Sequence, residues 1–166
     1  MIMPIVKATP EAIPATDRIK RRVKVRPRSV RAVPLFGAQA KHESAVELVR
    51  QVRKGVRFSR LRDVGEAMDL SREQLAEFVS VPVRTLARRE RLGRLLPDES
   101  DRLLRGVRLI DLATRLFDGD KAEARAWMKR PRRALGGDSP LQFATTDAGA
   151  REVERLIGQL EHGVFT

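Results

Sequence analysis

The spacing of the apolar residues is the feature that most constrains how this chain can fold. From Ser44 onward they recur every three or four positions, and glycines or prolines separate the successive runs. That spacing gathers them on one face of a helix, whereas a half-buried strand needs strict alternation. Alternation occurs only weakly, in the VKV at positions 23–25. The sequence therefore predicts an all-α fold.

Two helices are predicted at the start of this region. The first is capped by Ser44, runs to about Lys54 and is followed by Gly55. Its apolar face consists of Leu48, Val49 and Val52. The second spans about 59–68 and presents Leu61, Val64 and Met68.

The segment from Leu70 to Leu95 has the pattern of a helix-turn-helix. Ser71 and Gln74 form a capping box for a helix over Arg72–Val79, with Leu75, Phe78 and Val79 as its apolar stripe. Pro82 then interrupts the helix, because it disfavours helical geometry at Val81 while suiting a new first turn. A second helix over Val83–Arg91 should bury Val83, Leu86 and Ala87. Alanine or glycine usually occupies the positions of Ala76 and Ser80, and Ser80 departs from this pattern.

The other face of the second helix is strongly basic. A helix fits the DNA major groove, and arginine can bond to guanine or to flanking phosphates. We expect Arg84, Thr85 and Arg88 near bases, with Arg89 and Arg91 near phosphates. The alternative interpretation is a helical hairpin whose basic face is only solvated.

A new unit begins at Pro97, and a long helix is predicted within it, capped by Asp98 or Ser100. Its apolar residues surround nearly the whole helix through Phe117. We expect it to be the central element joining two halves, or a dimer interface.

Three further helices are predicted in the remainder. One ends at Arg130 and carries Trp127 and Met128; a short one is capped by Ser139 and begins at Pro140. The last begins at Thr146 or Asp147 and stops at Gly163. The predicted inward stripe of this last helix is Ala150, Val153, Leu156, Ile157 and Leu160. Beyond it Val164, Phe165 and Thr166 form an apolar tip, which either packs on its own core or is held out for a partner.

Charge is distributed unevenly along the chain. The net charge is +12, and the first 40 residues carry nine basic against two acidic residues. Clustered cations favour a polyanionic partner, because phosphates release their counterions on binding. We predict a mostly disordered leader over 1–40, either a solvated or misannotated segment, an arm that follows nucleic acid, or a transit peptide. Residues 139–166 instead carry four acids and two arginines, which suits a protein partner.

Several function classes are disfavoured. The chain has no cysteine, and its two histidines, His42 and His162, lack metal-ligand spacing. No paired acid and base are visible, so we expect neither catalysis nor a cofactor or metal. No apolar run is long enough for a membrane span, so a soluble cytoplasmic protein is expected.

These motifs resemble a known family. The order SVPVRTLARR, LLPDESDRLLR and RAWMKRPRRALGGDSPLQFATTDAGAREVERLIGQLEHGVFT is similar to that of the Xre/MbcA/ParS antitoxins, partners of RES-domain toxins in bacteria. The resemblance covers roughly 43–166, and its specific part is 134–166.

The resemblance implies a protein of two parts. The helix-turn-helix, within 41–105, would mediate dimerisation and repression of the chain's own operon. The small helical domain over 106–166 would bind an NAD-consuming toxin and occlude its cleft, within a higher-order complex of toxin and antitoxin. The implied toxin-binding residues are Glu161, His162, Gly163, Val164, Phe165 and Thr166. A stand-alone helix-turn-helix regulator or basic nucleic-acid-binding protein is the alternative.

Overall fold

The fold is given by a computed structural model, which describes residues 45–163. The predicted leader and the tip, Val164 to Thr166, lie outside the described residues. Eight α-helices follow one another, without a strand in the described part of the chain, which confirms the all-α prediction. They are α1 (Ala45–Lys54), α2 (Phe58–Met68), α3 (Arg72–Phe78), α4 (Val83–Leu92), α5 (Pro97–Leu116), α6 (Lys121–Lys129), α7 (Pro140–Phe143) and α8 (Asp147–His162), with a 3₁₀ turn at Arg133–Leu135.

Helix α5 is the central element. Its residues Leu103 and Ala113 are fully buried. The helix packs against α1 and α3, which precede it in the chain, and against α6 and α8, which follow it. We call α1 to α4 the N-terminal half and α6 to α8 the C-terminal half. The domain boundary predicted between residues 105 and 106 falls inside α5. The two halves therefore share one continuous helix.

Local capping signals account for most helix ends. Ser71 and Gln74 make the predicted capping box: the Ser71 hydroxyl accepts from the Gln74 N–H, and the Gln74 side chain accepts from the Ser71 N–H at 2.9 Å. Ser139 caps α7 in the same way, and Thr146 caps α8. Gly163 ends α8 at φ +66°, the left-handed geometry that glycine adopts without strain.

The cap predicted for α5 is wrong. Neither Asp98 nor Ser100 occupies that position; Leu96 does, and its N–H donates to the Glu99 carboxylate at 2.8 Å. Ser100 is buried instead, where its hydroxyl donates to the Leu96 carbonyl and accepts from the Val56 N–H. Its hydroxyl thus connects α5 to the segment between α1 and α2.

Two apolar predictions also need correction. Val83 is 39% exposed, although it was expected to be buried. It lies at the first residue of α4, one turn before the buried Leu86, and so beyond the edge of the core. On α1, the predicted apolar residues Leu48 and Val49 are both exposed, so that face of the helix is incompletely covered.

Candidate functional site

The turn between α3 and α4 holds these helices in helix-turn-helix geometry. Helix α3 ends at Phe78, and α4 begins at Val83 after Pro82 in extended geometry. Ser80 adopts φ +54°, a conformation that favours glycine, and this explains why glycine is usual there. Its N–H donates to the Glu77 carbonyl at 2.8 Å, and the N–H of Val81 donates to the Ala76 carbonyl at 2.9 Å. The turn is therefore closed by hydrogen bonds between backbone groups, without a contribution from side chains in these two bonds.

The outward face of α4 carries three of the predicted DNA-contacting arginines. Arg84, Arg88 and Arg91 are exposed, at intervals that place them on one side of the helix. Thr85 is half-buried. The guanidinium groups are therefore accessible to a polyanion, while contact with bases or phosphates remains a prediction.

Arg89 does not belong to this face, and its predicted role as a phosphate contact is wrong. It is 5% exposed, and its Nε–H donates to both carboxylate oxygens of Glu99, at 2.9 and 2.8 Å. Arg89 follows the buried Leu86 by three residues, which places it on the inward side of α4. It therefore connects α4 to the first turn of α5.

A contact that the sequence did not predict joins the two halves directly. The ammonium of Lys129, at the end of α6, donates to the Asp69 carbonyl at 2.6 Å, just beyond α2. Nearby, the guanidinium of Arg132 lies over the Trp127 ring, 5.2 Å from its centroid. Burial, reinforced by the charge of Arg130, lowers the pKa of Arg132 below its ordinary value. The basic segment after α6 thus packs partly against its own half instead of lying free in solvent.

Helix α8 is anchored at its start and exposed at its end. Gly149 approaches the carbonyl of Phe143 so closely that an added Cβ would lie 1.8 Å from that oxygen. Val153 and Ile157 are buried against the core. On the outer face, hydrogen bonds from Arg155 lower the pKa of the Glu152 carboxyl.

The predicted toxin-binding residues fall at the exposed end of α8. Glu161, His162 and Gly163 are all exposed. Val164, Phe165 and Thr166, which follow directly, lie outside the described residues. The described part of the chain therefore ends in an exposed helix turn.

Neither a metal site nor a membrane span is present in the described part of the chain. Over residues 45–163 there is no group of three or more His, Cys, Asp or Glu side chains arranged to hold a metal ion. Over the same range, no helix combines the length and the apolar character needed to cross a membrane.

Two protein-family models match adjoining parts of the chain. Residues 47–108 match the antitoxin Xre-like helix-turn-helix domain. Residues 112–163 match the antitoxin Xre/MbcA/ParS C-terminal toxin-binding domain. The gap between the two matches lies within α5, the helix that both halves share.

Similar curated proteins bear related names. Antitoxin Xre of Yersinia enterocolitica is 38% identical over 120 residues, covering 72% of this chain and 81% of that protein. Antitoxin Xre of Photorhabdus laumondii is 42% identical over 93 residues, covering 55% of this chain and 63% of that protein. A more distant relative, the Prs ADP-ribosylating antitoxin of a Sphingobium species, is 23% identical over 145 residues, or 81% and 91% of the two chains.

Proposed function

The chain belongs to the Xre family of antitoxins, and on that basis we propose that it neutralises a RES-domain toxin by placing its C-terminal segment in the toxin's NAD-binding cleft. It acts by binding, without a reaction of its own, in the bacterial cytoplasm. As a homodimer, and within a larger complex with the toxin, it also represses its own operon through α3 and α4.

The exposed end of α8 is the observation that supports the proposed binding to the toxin. The last turn of α8 and its cap present Glu161, His162 and Gly163 to solvent, where a partner protein can reach them. In the proposed complex these three residues contact the rim of the cleft. Val164 and Phe165 bury apolar surface inside it, and Thr166 follows them into the cleft. Burial of one Phe side chain is worth about 1.5–3 kcal/mol, enough to contribute measurably to affinity.

The chemistry of the toxin is supported by a relative's name. The Sphingobium protein is named for ADP-ribosylation of Prs. ADP-ribosylation consumes NAD, so an antitoxin of this family is expected to protect the cell by blocking access to that substrate. The net charge of −2 over residues 139–166 suits a protein surface with basic groups more than a nucleic acid.

The proposed operator binding rests on the outward face of α4. Arg84, Arg88 and Arg91 are exposed together, and Thr85 lies between the first two. In the proposed complex Arg84, Thr85 and Arg88 contact bases, and Arg91 contacts a phosphate. A dimer places two such helices on the two halves of a palindromic operator.

Removal of Val164 to Thr166 tests cleft occlusion. The chain ending at Gly163 should keep the wild-type melting temperature, because the cap of α8 remains, but it should no longer rescue cells that express its cognate RES-domain toxin. Phe165→Ala should weaken rescue partially. Growth after toxin induction and NAD content measure the effect.

The matched control for Phe165→Ala is Leu96→Ala, which shortens an exposed apolar side chain far from α8 in sequence. It should rescue like the wild type. Full rescue by the chain ending at Gly163 would contradict cleft occlusion. Failure of the intact chain to co-purify with any RES-domain neighbour would instead favour the stand-alone regulator.

A further inference from the structure

A basic cavity lies where α1 ends, α2 begins and the chain leaves α4. Its volume is about 280 Å³, and its cationic walls are Lys54, Arg57, Arg60 and Arg94. Among the described residues that line it there is no acidic side chain. Lys54, Arg57 and Arg94 are exposed to solvent. This cavity is separate from the α4 arginines and from the end of α8.

Backbone contacts fix the cavity's shape. Arg57 and Arg94 pair in a single antiparallel bridge, flanked by hydrogen bonds from the Phe58 N–H to the Gly93 carbonyl and from the Leu95 N–H to the Val56 carbonyl, both 2.9 Å. The two arginines are therefore held side by side by the chain itself.

Gly55 makes this close approach possible. Its φ is +81°, and an added Cβ would lie 2.3 Å from the Leu95 carbonyl oxygen. The guanidinium of Arg94 donates to the Gly55 carbonyl at 2.7 Å, which orients Arg94 towards the end of α1. One guanidinium nitrogen is used there, and a guanidinium has five N–H donors, so donors remain for an anion.

Lys54, Arg57 and Arg94 bring three positive charges together at the cavity, and an anion between them relieves their mutual repulsion. Arginine suits phosphate in particular, because its planar N–H groups match two phosphate oxygens. A DNA backbone supplies such phosphates at regular spacing. The cavity thus has the charge and the donors of a phosphate-binding site.

Its position relative to α4 agrees with a DNA phosphate. Helix α4 has 10 residues and is therefore about 15 Å long. The major groove is about 12 Å wide. With the first half of α4 in the groove, its far end reaches the groove wall, and Arg94 follows that end by two residues.

We propose that Lys54, Arg57 and Arg94 bind a DNA backbone phosphate beside the bases that α4 contacts; this inference rests on the proposed operator binding. The cavity adds affinity for any sequence, and the face of α4 selects among sequences.

The double variant Lys54→Gln/Arg57→Gln tests the site. Neither change alters the backbone bridge, so the fold should persist, as checked by circular dichroism. Binding is measured by fluorescence anisotropy across a sodium chloride series, with the duplex that directly precedes the gene and with a shuffled duplex. The slope of log affinity against log salt should fall by about 0.9 for each DNA phosphate that the variant no longer neutralises, equally for both duplexes.

Arg115→Gln/Arg133→Gln is the matched control, with the same change of net charge at two exposed arginines, one at the end of α5 and one after α6. Its salt slope should stay near the wild-type value. Arg57→Lys, which keeps the charge, should retain most of the slope. If the double variant fails to fold, Lys54→Gln alone carries the same test with a smaller effect.

Three outcomes separate the proposals. Equal slopes for the double variant and its control would overturn the phosphate site alone. Wild-type protein that binds neither duplex would overturn operator binding and this inference together. Arg88→Ala should reduce discrimination between the duplexes more than it reduces the slope of log affinity against log salt. Loss of discrimination in the Lys54→Gln/Arg57→Gln variant would instead assign base contacts to the cavity and contradict a phosphate site.

Discussion

Arg89 and Arg91 stand two residues apart on α4 in opposite environments. The Arg91 side chain is exposed, whereas that of Arg89 is 6% exposed and that of its partner Glu99 is 5% exposed. A charge buried with a hydrogen-bonded partner is tolerated, but the same charge left alone is not. Arg89 therefore contributes to the fold, and Arg91 is available to a ligand.

Replacing Arg89 by Ala should lower the free energy of unfolding by about 3–5 kcal/mol. The Glu99 carboxylate would stay buried without its positively charged partner, although the Leu96 N–H would still donate to it. The same replacement at Arg91 should change the free energy of unfolding by less than about 0.5 kcal/mol. Urea denaturation followed by circular dichroism measures both values.

Arg89→Ala/Glu99→Gln separates the effect of the buried charge from that of the missing side-chain volume. It leaves the same space empty as Arg89→Ala, but glutamine is uncharged and can still accept from the Leu96 N–H, so this variant should recover much of the stability that Arg89→Ala removes. An equal destabilisation in the two variants would show that packing, and not the unpaired charge, is responsible.

Helix α8 contains two glycines with opposite surroundings. An added Cβ at Gly149 would lie 1.8 Å from the Phe143 carbonyl oxygen, a backbone atom that cannot move without disturbing α7. At Gly158 no atom lies within 4 Å of such a Cβ. Close packing of α7 on α8 thus depends on the first glycine and not on the second.

Gly149→Ala should destabilise the protein and weaken neutralisation of the toxin, because α8 must shift to relieve the clash. Gly158→Ala should stabilise it by about 0.5–1 kcal/mol, since alanine is favoured over glycine inside a helix. Thermal unfolding of the two variants and of the wild type shows whether each change raises or lowers the melting temperature. A wild-type melting temperature for Gly149→Ala would contradict the packing of α7 on α8 described above, and destabilisation by Gly158→Ala would contradict the open surroundings of that residue.

At the scale of the whole molecule, α5 makes the two halves interdependent. Its buried residues contact helices of both halves, and Lys129 adds a hydrogen bond from α6 to the end of α2. A continuous helix cannot lose the packing on one side without weakening its position against the other. The described part of the chain is therefore expected to unfold in a single transition.

Leu61→Ala, a change in the fully buried core of the N-terminal half, should lower stability by about 2–5 kcal/mol. Trp127 is the only tryptophan and lies in the C-terminal half, so its fluorescence reports on the other half. Its unfolding midpoint should fall together with that of circular dichroism. Arg62→Ala, on the exposed side of the same helix, should leave both unfolding midpoints unchanged. If the Trp127 midpoint of Leu61→Ala stays at the wild-type value, the two halves unfold independently.

The sequence alone determined the helices and the helix-turn-helix. The cap at Ser71, the proline at 82 and the glycine at 163 act within a few residues of where they stand, so their effects follow from local spacing. The resemblance to the antitoxin family was also visible in the sequence, because it rests on short motifs in the C-terminal half. The positions of Arg84, Arg88 and Arg91 on an exposed face also follow from helical spacing.

Tertiary structure alone decided which charged residues are available to a partner. Arg89 has the same chemistry as its neighbours, and only the approach of Glu99 from the next helix buries it. Lys54 and Arg57 are close in sequence, whereas Arg94 comes from a distant segment, and the bridge between Arg57 and Arg94 brings it to the same cavity. Local spacing fixes the faces of a helix, but contacts between residues distant in the chain decide what each face meets.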